Sequence, residues 1–178
     1  MQLLETIQVL QKWGKYVVQQ SRSNLTKSRK NVNKALYKSI GYNVLDAKNN
    51  TSMTFKMLDY GKFQDKGVRG ANAYYADSAT SGSPFSFKSS SKIPPVKPLA
   101  DWAKAKRIRL RDDKGRFTKG NYNTIGFLIA RSIKDKGIKA SMFFTKPYER
   151  AFVKFDKEFA FAIATDIGNE IVRQNKEK

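Results

Sequence analysis

The spacing of apolar residues changes twice along this chain, and those changes limit the folds open to it. Leu3, Ile7, Leu10, Gly14 and Val17 recur at steps of four and three, flanked by Leu4 and Val18, as on one face of an amphipathic helix. Between Ile40 and Leu58 the step drops to two. Ile40, Tyr42 and Val44, then Met53, Phe55 and Met57, alternate with polar residues on either side of Lys48-Asn49-Asn50-Thr51, the pattern of a β-hairpin. From Pro147 the helical step returns through Tyr148, Phe152, Phe155, Phe159, Ile163, Ile167 and Ile171. This predicts one long helix to about Arg173, followed by the charged tail Asn175–Lys178. Together the three segments predict an α+β fold in which a small antiparallel sheet packs against N-terminal and long C-terminal helices.

The intervening segments carry weaker signals. Ser21 to Lys34 is polar and basic, which predicts a helix break near Ser23–Thr26 and a second, shorter helix through Leu36 and Tyr37. Gly70 to Lys92 is rich in Ser, Ala and Gly without periodicity and reads as a long loop of the kind that binds something or orders on assembly. Ile93-Pro94-Pro95 and Pro98 fix an extended approach to a short helix at Leu99–Ala105. Asn121 or Asn123 can cap a helix carrying Ile125, Leu128, Ile129 and Ile133, and Gly137 stands where a C-terminal glycine belongs. With 178 residues, 40% of them hydrophobic and 12% aromatic, the chain has material for the core of a single domain spanning residues 1–178. The loop at 70–92 and a basic loop at 104–119 would be appended to that domain.

The chain contains neither Cys nor His, which removes disulfides, thiolate metal sites, thiol nucleophiles and imidazole general bases. Catalysis would then rest on carboxylates with a divalent metal, or on Ser activated by Lys. Asp101 with Asp112-Asp113-Lys114 fits a loose carboxylate pattern for phosphodiester cleavage, but Asp46-Ala47-Lys48 fits its second half equally well. Ser89-Ser90-Ser91-Lys92 offers Ser and Lys without a motif around them. The expectation is a protein that is not an enzyme, with no catalytic residue, cofactor or metal.

Charge is the strongest compositional signal: 35 Lys and Arg stand against 15 Asp and Glu, a formal net charge of +20. A surplus of this size suits a chain that lives beside a polyanion or an acidic protein surface, although surface Lys alone also favours solubility. Eight basic side chains, Lys104, Lys106, Arg107, Arg109, Arg111, Lys114, Arg116 and Lys119, crowd into one loop and are the candidate contacts to DNA or to an acidic partner. Without a zinc module, a helix-turn-helix or an RNA-recognition signature, such contact would be independent of base sequence. Apolar residues off the main stripe of the last helix, Val153 and Phe161, suggest a second face buried against another subunit, and Tyr60 and Phe63 join them as candidate interface residues. No stretch approaches the ~20 apolar residues of a membrane span. MQLLETIQVLQKWG places Glu and Gln where a signal peptide would be basic and then apolar, so the expected setting is soluble and cytoplasmic.

The order of short motifs resembles a known family. Tyr60-Gly61-x-Phe63-x-x-x-Gly67 is followed by Ile93-Pro94-Pro95 and by Leu99-x-x-Trp102-x-x-x-Lys106-Arg107-Ile108. Then come Ile129-Ala130-Arg131-Ser132-Ile133, Gly137-Ile138, and Phe143-Phe144 before Pro147. Over roughly residues 35 to 172 this order is similar to that of the neck or tail-completion proteins of tailed bacteriophages. The resemblance implies a non-enzymatic virion component, assembled in the host cytoplasm. It implies a homo-oligomeric ring between the portal or adaptor and the tail, around the channel through which the genome passes. The competing class is a sequence-independent DNA-binding protein acting off the virion, and salt-dependent duplex binding by the isolated monomer discriminates between the two.

Overall fold

The computed structural model of the protein describes residues 3–28, 32–47, 50–72 and 82–176. The described chain divides into two compact units: Met1–Leu58 with Phe143–Lys178, and the intervening Asp59–Met142.

The first unit is built on two helices and a hairpin. Helix α1 (Leu4–Lys27) is continuous through the segment where the polar run predicted a break. The reason is packing: Ser21 and Leu25 continue the buried stripe of Leu10, Gly14, Val17 and Val18, and tertiary burial outweighs the weak helix preference of the polar residues between them. The short second helix is present as α2 (Ala35–Ser39). Strands β1 (Gly41–Ala47) and β2 (Asn50–Lys56) pair antiparallel, with Tyr42 opposite Phe55 and Val44 opposite Met53, so the expected hairpin forms. Its connection at residues 48 and 49 lies outside the described residues. The sheet lies against α1 at Gly14, where a Cβ atom would collide with the Tyr42 ring. The Arg22 side chain donates to the carbonyls of Tyr37 and Ile40 at 3.1 and 2.8 Å, fastening α1 to the end of α2.

The long helix α6 (Thr145–Lys176), with 32 residues and a length of about 48 Å, packs along α1. Phe143, just before it, is fully buried with Val18, Leu25, Leu36 and Ile40. Phe55 of the sheet meets Phe144 and Tyr148 edge to face at 5.3 and 5.9 Å. The face α6 buries matches the stripe expected from the sequence only in part. Pro147, Ala151, Phe155, Ala162 and Asp166 are buried, Phe159 and Ile163 are half-buried, and Tyr148, Phe152, Ile167 and Ile171 are exposed. Ala151 and Ala162 let the two helices approach, Tyr148 and Phe152 flank that contact with their rings 5.6 and 5.8 Å from Trp13 of α1, and Ile167 and Ile171 face outward.

The second unit joins α3 (Tyr60–Lys66), β3 (Val68–Arg69), α4 (Val96–Ala105), α5 (Tyr122–Lys136) and β4 (Gly137–Ile138). Helix α4 begins at Val96, one turn earlier than the sequence suggests, with Pro98 in its first turn, where a missing N–H costs nothing. Asn121 caps α5 by accepting from the Thr124 amide at 2.7 Å. Gly137 ends α5 with φ +84° and pairs with Arg69; a side chain there would strike the Val68 carbonyl oxygen, so this crossing admits glycine alone. Of the long loop expected at 70–92, residues 73–81 lie outside the described residues. The remainder is tied down: the Phe87 amide donates to the Arg69 carbonyl and the Arg69 amide to the Phe85 carbonyl, each at 2.8 Å, and the Phe85 ring meets Phe63 at 4.7 Å.

Candidate nucleic-acid and subunit interfaces

The basic segment starts where α4 stops. The Arg107 amide donates to the Lys104 carbonyl at 3.0 Å and the Ile108 amide to the Ala103 carbonyl at 2.9 Å, the paired bonds of a Schellman turn. That motif places its next residue in the left-handed region, usually a glycine, and here the residue is Arg107 at φ +55°. Beyond it the chain folds into a tight hairpin in which Arg111 bridges Phe117. Asp112 organises the tip. Its Oδ1 accepts from the amides of Lys114 and Arg116 at 3.0 and 2.8 Å, and its Oδ2 accepts from Arg116 Nε at 3.2 Å. The guanidinium groups of Arg111 and Arg109 lie over the Phe117 ring, 4.3 and 5.6 Å from its centroid, and Arg111 also donates to the Gly115 carbonyl at 2.8 Å.

All eight basic residues expected to meet an external anion, Lys104, Lys106, Arg107, Arg109, Arg111, Lys114, Arg116 and Lys119, are exposed, and all belong to this one unit. Eight cations against Asp112 and Asp113 leave the segment at +6. The Arg116–Asp112 pair is exposed and contributes more to the shape of the turn than to neutralisation.

The residues weighed for catalysis have local tasks. Asp112 shapes the hairpin, Asp46 accepts from the Thr51 hydroxyl at 3.0 Å across the other hairpin, and Ser91 accepts from the Lys88 amide at 2.9 Å. Asp101 is exposed on α4. Among the described residues no group of three carboxylates gathers in a way that could hold a metal ion, and no helix is long and apolar enough to cross a membrane.

The four candidate interface residues fall into two pairs. Tyr60 and Phe63 share α3 in the second unit, three residues apart and both exposed, with one edge of Phe63 covered by Phe85. Val153 and Phe161 are on α6 in the first unit and are 80% and 75% exposed. Phe161 belongs to a larger surface that also takes in Ile167 and Ile171, which the sequence stripe assigned to the interior. From Ala160 to Val172 the solvent side of α6 presents Phe161, Ile167, Ile171 and Val172, and the two acidic residues of this stretch lie elsewhere, Asp166 buried and Glu170 only partly exposed.

Asp166 is the residue that sequence reasoning missed. It sits on the buried face of α6 and accepts from the backbone amides of Glu5 and Thr6 at 3.1 and 2.9 Å, satisfying the first turn of α1, whose own N-cap residue Leu3 has no side-chain acceptor. Burial works against its ionisation. The Thr6 hydroxyl and the amides of Thr6 and Glu5 outweigh that cost and hold the carboxyl below the usual aspartate range. One acid placed alone in the apolar run Phe159–Gly168 was the available signal.

Comparison of the chain with protein-family models, with curated proteins and with solved structures yields no match.

Proposed function

We propose that this chain is a structural subunit of a bacteriophage head–tail junction, assembled in the host cytoplasm into a homo-oligomeric ring around the genome channel between portal or adaptor and tail. The observation that carries the reading is the outer face of α6. Phe152, Val153, Phe161, Ile167, Ile171 and Val172 are all more than two-fifths exposed on one helix of a chain whose charge is +20. A surface of this kind suits a protein whose neighbours cover it in the assembled state.

The second support is the setting of the motifs that resemble the neck family. Tyr60–Lys66 forms α3, and Gly67 ends it and leads into β3, which pairs through Val68 with Ile138 directly after Gly137. The Ile129–Ile133 motif lies on α5, and the segment after Pro95 forms α4, which packs along it. The motifs from Tyr60 to Ile138 thus share one folding unit, while Phe143-Phe144 belongs to the other. The role is architectural, and the partners are further copies of the chain and the portal, adaptor or tail proteins on either side.

Native mass spectrometry of the purified protein with its virion neighbours, followed by its position in a virion map, tests the reading. The expected result is several touching copies of the chain around the channel, with the α6 outer face covered. Single, non-touching copies, or absence from the particle, would refute it.

A further inference from the structure

We infer that the hairpin at residues 104–119 is a contact site for the phosphate backbone of double-stranded DNA. The inference stands on the hairpin alone and does not depend on the assembly reading.

Four observations carry it. First, the hairpin backbone and three of its guanidinium groups are ordered before any ligand arrives. Asp112 closes the tip and pairs with Arg116, the Schellman turn anchors the base, and Phe117 lies beside Arg111 and Arg109, which lowers the ordering entropy lost on binding. Second, three of the cations within reach of one another are guanidinium groups, Arg109 and Arg111 over the Phe117 ring and Arg116 at the tip, and arginine is the side chain that grips phosphate oxygens in pairs. Third, Arg107 occupies a left-handed position that glycine would fill without strain. A side chain kept at a conformational cost in the middle of a cationic cluster points to use of its charge.

The fourth observation selects the ligand. Protein interfaces centre on an apolar cluster and are poor in lysine, whereas this hairpin is rich in both cations and exposes a single large apolar side chain, Phe117. That ring already carries Arg111 and Arg109, so it is not a free platform on which an unpaired base could stack. A duplex backbone asks for neither an apolar centre nor a stacking surface. It rewards a dense, ordered group of cations, and the segment carries a net +6.

The test uses the full chain and a fluorescein-labelled duplex of arbitrary sequence, with anisotropy measured across a salt series. A chain of this charge binds DNA through many surfaces, so the decisive quantity is a difference between variants. Removing Arg107, Arg109 and Arg111 together as serines should lower the slope of log affinity against log salt by about 2.7, three contacts at about 0.9 each. Removing the same charge from the exposed Lys38, Lys146 and Lys157 of the other unit should leave the slope within about one contact of the parent. Arg107→Gly separates charge from folding: the turn keeps or gains thermal stability because glycine suits its conformation, while the slope falls by about 0.9. Equal slopes for the hairpin and control variants would overturn the inference. So would tighter binding to a single strand than to the duplex, or to poly-glutamate than to DNA at equal salt, the second outcome assigning the hairpin to an acidic protein.

Discussion

Replacing Asp166 removes the acceptor on which the first turn of α1 depends, and the size of the loss follows from the geometry. Two charge-assisted hydrogen bonds, at 3.1 and 2.9 Å, join one buried carboxylate to the Glu5 and Thr6 amides. Losing a helix cap costs about 0.5–2 kcal/mol, and hydrogen bonds to a charged group contribute about 1.5–3 kcal/mol each before the cost of burying the charge. Asp166→Ala, which strands both donors, should therefore destabilise the first unit by about 2–4 kcal/mol. Asp166→Asn keeps one acceptor but no charge and should cost about half as much. In urea, with a slope near 2 kcal/mol per molar, the alanine variant should unfold at a midpoint about 1–2 M lower. The pH dependence supplies a second check. The carboxyl is held below its ordinary value in the folded protein, so its stabilisation is fully present above the unfolded value of about 3.9 and disappears as pH falls through the folded one. Wild type and Asp166→Asn should accordingly converge below about pH 4. Circular dichroism of urea unfolding at pH 7 and pH 3 measures both effects. If both variants matched wild type at pH 7, or the Asn variant kept the same deficit at pH 3, the capping argument would be wrong.

Three further outcomes follow from other positions. Ser21 is completely buried and its hydroxyl has no hydrogen-bond partner, so Ser21→Ala should raise stability by about 0.5–1 kcal/mol, read as a higher urea midpoint; a loss would show that the hydroxyl is satisfied. Gly14→Ala, which on helix preference alone would gain about 1 kcal/mol, should instead destabilise by about 1–3 kcal/mol because the Tyr42 ring occupies the added atom's place. Val153→Glu with Phe161→Glu should leave thermal unfolding within about 0.5 kcal/mol of the parent, since both are exposed, while abolishing the oligomers seen by native mass spectrometry.

Where local chemistry decides, the fold was legible. The alternation at Tyr42, Val44, Met53 and Phe55 became the hairpin, and Asn121 and Gly137 bound α5 where their capping chemistry placed them. The hidden parts are decided by contacts between distant segments. Nothing near Ser23–Thr26 announces that Leu25 will be covered by Phe143 and Leu36, and that cover keeps α1 intact. The phase of α6 was legible only in part, for a related reason: Phe155 is buried as expected, but Ile167 and Ile171 are not. Periodicity marks a stripe of large apolar residues, but α1 selects the side carrying Ala151 and Ala162 because close approach needs small side chains. The cationic cluster was visible as composition. Its order was not, since it depends on which of two adjacent aspartates turns inward and on where the Phe117 ring lies.

The bond between Thr6 and Asp166 also has a consequence in time. On the ribosome, α1 emerges about 160 residues before the acid that satisfies its first turn, and at synthesis rates of about 5–20 residues per second that interval is roughly ten to thirty seconds. For most of that wait the apolar stripe of α1 has only α2 and the hairpin against it, because α6 begins at Thr145. The Asp59–Met142 unit is one continuous stretch of chain, made in full before Asp166. A chain stalled before Asp166 would therefore carry α1 without the acceptor for its first turn.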